Sequence, residues 1–434
     1  MTYHPVVDRF AAPVHLDPLS AALFAATSIA AALVTARRPA YGLAALFLVM
    51  PFDFAREIFG TTITLPKIVV LGVLLGLSTY AGCSAFLRKP PAPLLLGALG
   101  LLLAATALSA IGAVHRGLVI REALKVVEYA AIFIAAFLCY SLDADDAPPR
   151  TAVAIAAIVV AISALAQEIL GAPSGLFIGP AIVPRIAGSL DGPNQLSAYC
   201  EIAVATLGAW AIVRPSRLLG AALGLMVCAD VLTFSRAGWI ALAVVAAVLA
   251  MAGGRRAWPA LKPALAGLVA GAAGALWWGI YARTPDILRA SLESSAYAGG
   301  VGNRDELWSA AWRMWLAHPL IGVGAGNFEL LLPAYGLFGV RTHANSWYLQ
   351  ALAEGGVLLF AATIGLLVAI LAGMRRGRWL EWLRGASPWA VAAWAATIAL
   401  ALHQTVDYLV FYPKVGGPWW LLIGTAAATL AAGM

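Results

Sequence analysis

NRDELWSAAWRMWLAHPLIGVGAGNF (Asn303–Phe328) and RTHANSWYLQALAEGG (Arg341–Gly356) form the largest polar island in an otherwise apolar chain. The 434 residues are 62% hydrophobic and only 11% charged, with a mean hydropathy of +0.87. Soluble domains carry about 25% charged residues, so this chain reads as a polytopic membrane protein. Inside a bilayer only helices and closed barrels satisfy their own backbone, and runs of this length predict an all-α fold. The bilayer then sets the architecture, and one integral membrane domain over residues 1–434 is expected.

Outward from the island, apolar runs long enough for helices lie near residues 19–36, 40–54, 65–86, 93–112, 122–140, 151–170, 196–213, 218–234, 237–252, 260–281, 346–373, 388–406 and 417–433. The second run is short for a span of about 20 residues and ends at Pro51 and Asp53, which leaves about twelve transmembrane helices. The formal charge of +7 is gathered in short clusters between runs: Arg37 with Arg38, Arg88 with Lys89, Arg214 with Arg217, Arg255 with Arg256, and Arg375 and Arg376 with Arg378. Such clusters mark cytoplasmic span ends, not a nucleic-acid surface. Residues 55–64, 113–121, 171–195, 235–236, 282–345 and 407–416 then face the other side, with 282–345 as one large outer loop containing amphipathic helices. Cys83, Cys139, Cys200 and Cys228 sit in apolar runs without metal-ligand spacing. The stretch holding His4, Asp8, Arg9 and His15 does not read as a cleavable signal peptide.

A basic residue on the outer side opposes the positive-inside bias. Arg116 and Arg121 open one span with Lys125 a turn further; Arg185 lies in PRIAGSLDGPNQLSAY, Arg236 in TFSRAGW, and Arg341 beside His343. Each alone is explained by snorkelling, or by pairing with Asp191, Glu122 or Glu128. Together they point to an anion site at the outer surface. Guanidinium groups match phosphate geometry, and the helix start at Asn194 adds oriented N–H donors. With no P-loop, and with no Asp-x-Asp pair in the outer segments, a diphosphate lipid held without metal fits, as do a carboxylate or a phospholipid headgroup on charge alone. Trp308, Trp312 and Trp315 fall at i, i+4 and i+7, with Arg304 and Arg313 largely elsewhere. They predict an interfacial helix anchored by tryptophan or, alternatively, a platform for sugar rings. GVGAGNF reads as a tight turn. His343 suits proton transfer at neutral pH. Glu354 is a functional acid, a partner for Arg341 or a cap for a neighbouring helix. Glu168, Glu201, Asp230, His403 and Asp407 are read as structural.

NRDELWSAAWRMW, LAHPLIGVGAGNF and HANSWYLQALAEGG together resemble the signature of the bacterial O-antigen ligase and O-antigen polymerase superfamily. The resemblance is strong over residues 303–356 and weaker over RIAGSLDGPNQLSAY and LTFSRAGW, where the family also places arginines. It implies a GT-C-like membrane glycosyltransferase of the bacterial inner membrane, working without metal or other cofactor at the periplasmic face. The ligase branch, preferred here, transfers a glycan from undecaprenyl diphosphate with inversion onto the lipid A-core. A polymerase instead joins lipid-linked repeat units. Besides these two lipid substrates the implied partner is membrane lipid, and no nucleic acid. Carried onto this chain, the catalytic residues would be His343, Arg236 and Arg185. Diphosphate or glycan binding would fall to Arg116, Arg121, Arg341, Asn194, Asn345, Trp308 and Trp312. The family has His directly followed by Asn. Aligning on Leu349, Gln350 and Glu354 puts Asn345 at that position, with His343 two residues earlier. The rival from another class is a transporter or flippase, for which midplane charges and a repeat between halves are expected; no repeat is visible.

Overall fold

The computed structural model describes residues 16–52, 54–58, 61–80, 92–170, 174–178, 181–281, 304–340, 342–374 and 378–432. Arg341, Cys83, the clusters Arg88 with Lys89 and Arg375 with Arg376, the N-terminal His4 to His15, and residues 282–303 of the expected outer loop lie outside them.

Every one of the apolar runs contains a helix. In chain order these are α1 (Pro18–Arg37), α2 (Pro39–Val49), α3 (Leu65–Thr79), α4 (Pro93–Leu108), α5 (Arg116–Leu142), α6 (Ala147–Leu170), α7 (Pro193–Val213), α8 (Arg217–Leu232), α9 (Arg236–Gly253) and α10 (Trp258–Tyr281). The polar island adds α11 (Arg304–Ala317) and the single turn α12 (Phe328–Leu331). It then gives way to α13 (Trp347–Gly373), α14 (Trp379–Gly385), α15 (Pro388–His403) and α16 (Pro413–Ala432). Proline opens α1, α2, α3, α4, α7 and α15, where its missing N–H costs nothing. Asp17, Ser216, Ser346 and Ser387 cap α1, α8, α13 and α15 with their side chains.

Seven segments among the described residues are long and apolar enough to cross a membrane, with α9 and α10 running on as one stretch, Arg236–Trp277. The expected twelve came from apolar runs, and several runs outlast their helices. The run 388–406, for example, stops being helical at His403, where the chain peels into a polar loop. Two short antiparallel hairpins, β1–β2 (Ala55–Ile58 with Thr61–Thr64) and β3–β4 (Ser174–Ile178 with Ala181–Arg185), occupy breaks read from sequence as plain loops. The all-α expectation otherwise holds.

α7 is the central post, with 89% of its apolar window buried inside the protein. It is alanine-rich, which lets neighbouring helices approach closely, and it packs against α8, α9, α10, α15 and α16. α8 and α10 also approach closely: a Cβ on Gly267 would sit 2.1 Å from the Gly224 carbonyl oxygen. Around this post the inter-helix breaks sort to two ends. At one end Arg38 pairs with Asp143 and Asp145 at 3.4 and 3.0 Å, and Trp389 Nε1 donates to Asp146. At the other, the breaks around residues 109–115, 185–195, 233–236, 318–346 and 404–412 bond one another.

Candidate functional site

The polar end is built on a broken helix. Inside α13, Gly356 adopts φ 60° and ψ −159°, a conformation essentially restricted to glycine. The break removes the two ladder bonds that would join residues 357 and 358 to 353 and 354. The GVGAG turn replaces them. Val323 and Gly324 N–H donate to the carbonyls of Ala353 and Glu354 at 2.9 and 2.8 Å, while Val357 and Leu358 N–H donate to those of Pro319 and Leu320 at 2.9 and 3.4 Å. In an apolar setting an unpaired backbone group costs several kcal/mol, so the turn and the break need each other. The Glu354 carboxylate accepts the Phe328 N–H at 3.2 Å and so caps α12. The cap expected among its sequence readings is present, and Arg341, read as its alternative partner, lies outside the described residues.

This turn also ties the arginine-bearing start of α5 to the island. The Asn327 side chain accepts the His115 N–H at 2.8 Å and donates to its carbonyl at 3.3 Å, and Ser109 Oγ accepts the Ala325 N–H. α11 buries Leu307, Ala310, Ala311 and Met314 against Phe328, Leu332 and Ala344. Its tryptophans lie around that face. Trp312 is 46% exposed and packs on Trp315 with ring centroids 4.6 Å apart.

At the heart of the polar end is Arg185, closing β4. The turn after it is clamped by Gln167 of α6, whose Oε1 accepts the Ala187 and Gly188 N–H groups. Arg185 Nε donates to the Thr233 carbonyl at 2.6 Å and Nη2 to Asn194 Oδ1 at 2.7 Å. Asn194 in turn donates to Asp407 Oδ2 at 2.5 Å, and Asp407 Oδ1 accepts the Tyr408 N–H. Thr233 belongs to the α8–α9 turn, where Phe234 takes the left-handed φ of 51°, unusual for an aromatic residue and a mark of a site held by its surroundings. That turn delivers Arg236 as the exposed first residue of α9. Burial pushes the Arg185 pKa down to about 10, and Arg304 and Arg236 push the same way against the pull of Asp407. Arg185 is still charged at neutral pH. Among the described residues, Arg304, Arg236 and Asp407 are the charges that act on Arg185, and the Asp407 carboxylate is already committed to Asn194 and a backbone N–H.

His343 borders this region. Asn345, at φ 49°, turns its N–H back onto His343 Nδ1 at 3.2 Å, and His343 Nε2 meets the Tyr412 hydroxyl at 3.2 Å. Because Nδ1 accepts, the neutral ring carries its proton on Nε2. Tyr408 and Phe411 box the ring, with centroids 5.6 and 6.4 Å away. The Ala344 N–H is held by Gln350 Oε1 at 2.6 Å, so the motif positions Gln350 and Glu354 fix the loop on both sides of the break. Burial lowers the His343 pKa below its ordinary value, Arg304 adds to this and Asp407 opposes it. The sign follows. A depressed folded-state value means the unfolded chain takes up the proton first, so the stability this group contributes is present above the ordinary histidine pKa of about 6.5 and lost below it. The expected result is an unfolding temperature in detergent that falls as pH drops from 7 to 5, with a shallower fall in His343→Gln. Equal slopes for the two proteins would contradict it.

The structure therefore brings Arg185, Asn194, Arg236, His343 and Asn345 of the sequence-derived set to one end. Arg116 is exposed and has no hydrogen bond or ion pair among the described residues, and Arg121 lies beside Lys125; no contact described joins either to Arg185. The carboxylates offered as partners for the outer arginines go elsewhere: Asp191 to Lys414, Glu122 to Lys125, Glu128 to Lys67. Lys125 Nζ sits over the Phe411 ring, 3.4 Å from its centroid. There a cavity of about 90 Å³ runs between α4, α5, α13 and α16, with Glu122 and Gln350 among its polar lining and Leu99, Leu359 and Leu366 among its apolar lining. Arg341 lies outside the described residues.

Two residues were missed. Arg304 was set aside with the other charges of its helix, yet it acts on both Arg185 and His343. Asp407 was read as structural, yet it anchors Asn194. Glu201, Asp230 and His403, read as structural, come together in one buried region, where His403 Nδ1 bonds Glu201 Oε1 at 2.5 Å and Ser197 bonds Asp230 at 2.5 Å. Only spatial proximity reveals these, since the residues come from α7, α8 and α15.

The fold and this site define a multi-pass helical membrane protein with several arginines gathered at one end. Residues 221–364, from α8 through the first two thirds of α13, are matched by the family model described as O-antigen ligase. The match supports the O-antigen ligase and polymerase superfamily, whose members are membrane glycosyltransferase-like enzymes acting on lipid-linked glycans. It takes in Arg236, Arg304 and His343; Arg185, Asn194 and Asp407 lie outside it and join through the fold. No curated protein matches the chain.

Proposed function

We propose that the protein is an O-antigen ligase of the bacterial inner membrane. It transfers a glycan from undecaprenyl diphosphate to the lipid A-core at the periplasmic face, with inversion and without metal. The observation that carries this reading is the convergence of Arg236 and Arg304 on the clamped Arg185, with the Asp407 carboxylate committed to Asn194. Departure of a diphosphate concentrates negative charge on its oxygens. Guanidinium groups fixed beforehand stabilise that charge without reorganising. Arg185, clamped at Nε and Nη2 and needing no movement, is suited to that task. His343, presenting an Nε2–H beside the Tyr412 hydroxyl, orients the acceptor sugar. α11, with Arg304 at its start and Trp312 on its outer side, covers the junction between lipid and sugar. Placing the basic clusters inside supports a periplasmic orientation of the polar end.

Deletion of the gene tests the reading, followed by gel analysis of lipopolysaccharide and quantification of lipid-linked glycan. Ligase activity predicts core lipopolysaccharide without long glycan, while long glycan accumulates on undecaprenyl diphosphate. Core carrying a single repeat unit would mean a polymerase. An unchanged ladder would overturn both.

A further inference from the structure

We propose that Ser235, His403 and Glu201 form a proton relay that receives the proton released by the attacking acceptor hydroxyl, directly beneath the arginine site. The proposal rests on the transfer reaction proposed above. Three elements supply its members: Glu201 lies two turns into α7, Ser235 precedes α9, and His403 ends α15. His403 Nδ1 bonds Glu201 Oε1 at 2.5 Å, and His403 Nε2 faces Ser235 Oγ at 3.4 Å. The order hydroxyl, imidazole, carboxylate is that of a general-base array, in which the carboxylate fixes the tautomer and leaves Nε2 able to accept. A hydrogen bond of this length tightens on substrate binding in many catalytic sites.

Ser235 breaks the pattern of the other serines that start helices. Ser216, Ser346 and Ser387 each accept a backbone N–H two or three residues into their helices. Ser235 occupies the same position before α9 and makes no cap bond; its hydroxyl is turned to His403 instead. Forgoing a cap destabilises the start of the helix, which the His403 contact offsets only in part at this separation. Its position is also telling. The Ser235 N–H donates to Thr233 Oγ1 at 3.1 Å, the Thr233 carbonyl fixes Arg185, and the next residue is Arg236.

His343 is poorly set to take this proton, because Asn345 N–H occupies Nδ1 and Nε2 already bears a hydrogen. The groups facing His403 are Glu201 from α7, Asp230 from α8, Asp407 from the following loop and Ser235 from the α8–α9 turn. Glu201 Oε2 and Asp230 Oδ2 are buried without a hydrogen-bond partner among the described residues, leaving carboxyl oxygens able to share a proton with the imidazole.

The step balances as follows. The acceptor oxygen forms its bond to the anomeric carbon as the bond from that carbon to the diphosphate breaks, and the electron pair leaves with the diphosphate. The acceptor proton passes to Ser235 Oγ as the Ser235 proton passes to His403 Nε2, and the imidazolium is stabilised by Glu201. Return of the proton to the released diphosphate resets the relay. Ser235 acts on the substrate; His403 and Glu201 are positioning residues acting through it.

The test uses the full chain in proteoliposomes with a synthetic undecaprenyl-diphosphate oligosaccharide and purified lipid A-core, measuring kcat and KM from pH 5 to 9. Ser235→Ala removes one hydroxyl and no cap bond, so the fold is retained. It is expected to lower kcat about 10²-fold, leave the donor KM unchanged and flatten the acidic limb of the kcat profile. Glu201→Gln should move kcat and the profile in the same direction. A wild-type kcat and profile in Ser235→Ala would overturn the relay, as would a loss of rate with an unshifted profile. Wild-type transfer that Arg236→Ala abolishes and Ser235→Ala leaves intact would remove the relay alone. Failure of the wild type itself to transfer would remove the underlying reading.

Discussion

Arg185→Ala is expected to lower glycan transfer by about 10²–10³-fold, the usual result of deleting one preorganised donor from a site where negative charge develops. The guanidinium is clamped by the Thr233 carbonyl and by Asn194, which is itself held by Asp407. Its charge is therefore fixed before substrate arrives. Arg185→Lys is expected to rescue little, because an ammonium on a flexible stem cannot reproduce two bonds from the edges of a planar fork. Arg236→Ala should fall in the same range, and the double variant should lose less than the product of the two because they serve one anion. The loss should appear in kcat with a proteoliposome assay while insertion is retained, and Arg185→Ala should also lower the unfolding temperature in detergent because it removes the bonds to the Thr233 carbonyl and Asn194. Transfer within a few-fold of wild type in Arg185→Ala would rule out the diphosphate role.

Gly356→Ala carries the largest expected effect on stability. A Cβ at this position would lie 2.4 Å from the Leu320 carbonyl carbon and 2.5 Å from its oxygen. These are backbone atoms that cannot swing aside, and φ of 60° with ψ of −159° is itself strained for alanine. Relief requires undocking the GVGAG turn, and the four backbone bonds that join it to α13 are each worth about 1 kcal/mol net. A destabilisation of about 3 kcal/mol or more is expected, read as a lower unfolding temperature in detergent and easier proteolysis around residues 318–346. Gly365→Ala is the control in the same helix. Open space surrounds Gly365, so alanine there should be neutral or slightly stabilising. Equal effects at the two glycines would refute the account.

How much of this was legible in the chain depends on distance along it. The helices were readable because an apolar run in a bilayer has only one way to satisfy its backbone. GVGAG was readable as a turn because its glycines stand where a helix cannot continue. Arg185, Arg236 and His343 stood out because polar groups are rare here and each lay at a break. Asp407 did not stand out, since its meaning comes from Asn194, hundreds of residues away. Glu201 and His403 looked isolated for the same reason: on separate spans each is a lone polar residue, and only the packing of α7 against α15 makes them a pair. The faces of α11 were half readable. Three tryptophans shared one side by periodicity, but Leu307, Ala310, Ala311 and Met314 are the residues the fold chose to bury, because Phe328 and Leu332 wait opposite them.

The reciprocal fit between the GVGAG turn and the break at Gly356 also defines a unit of exchange. Residues 319–326 and 353–358 complete each other's backbone, so neither can be swapped for a relative's version alone. Chimeras built to trade acceptor preference between such proteins should cut before Pro319 and after Leu358. A junction drawn between them, inside the intervening loop, would pair a broken span with a turn shaped for a different gap.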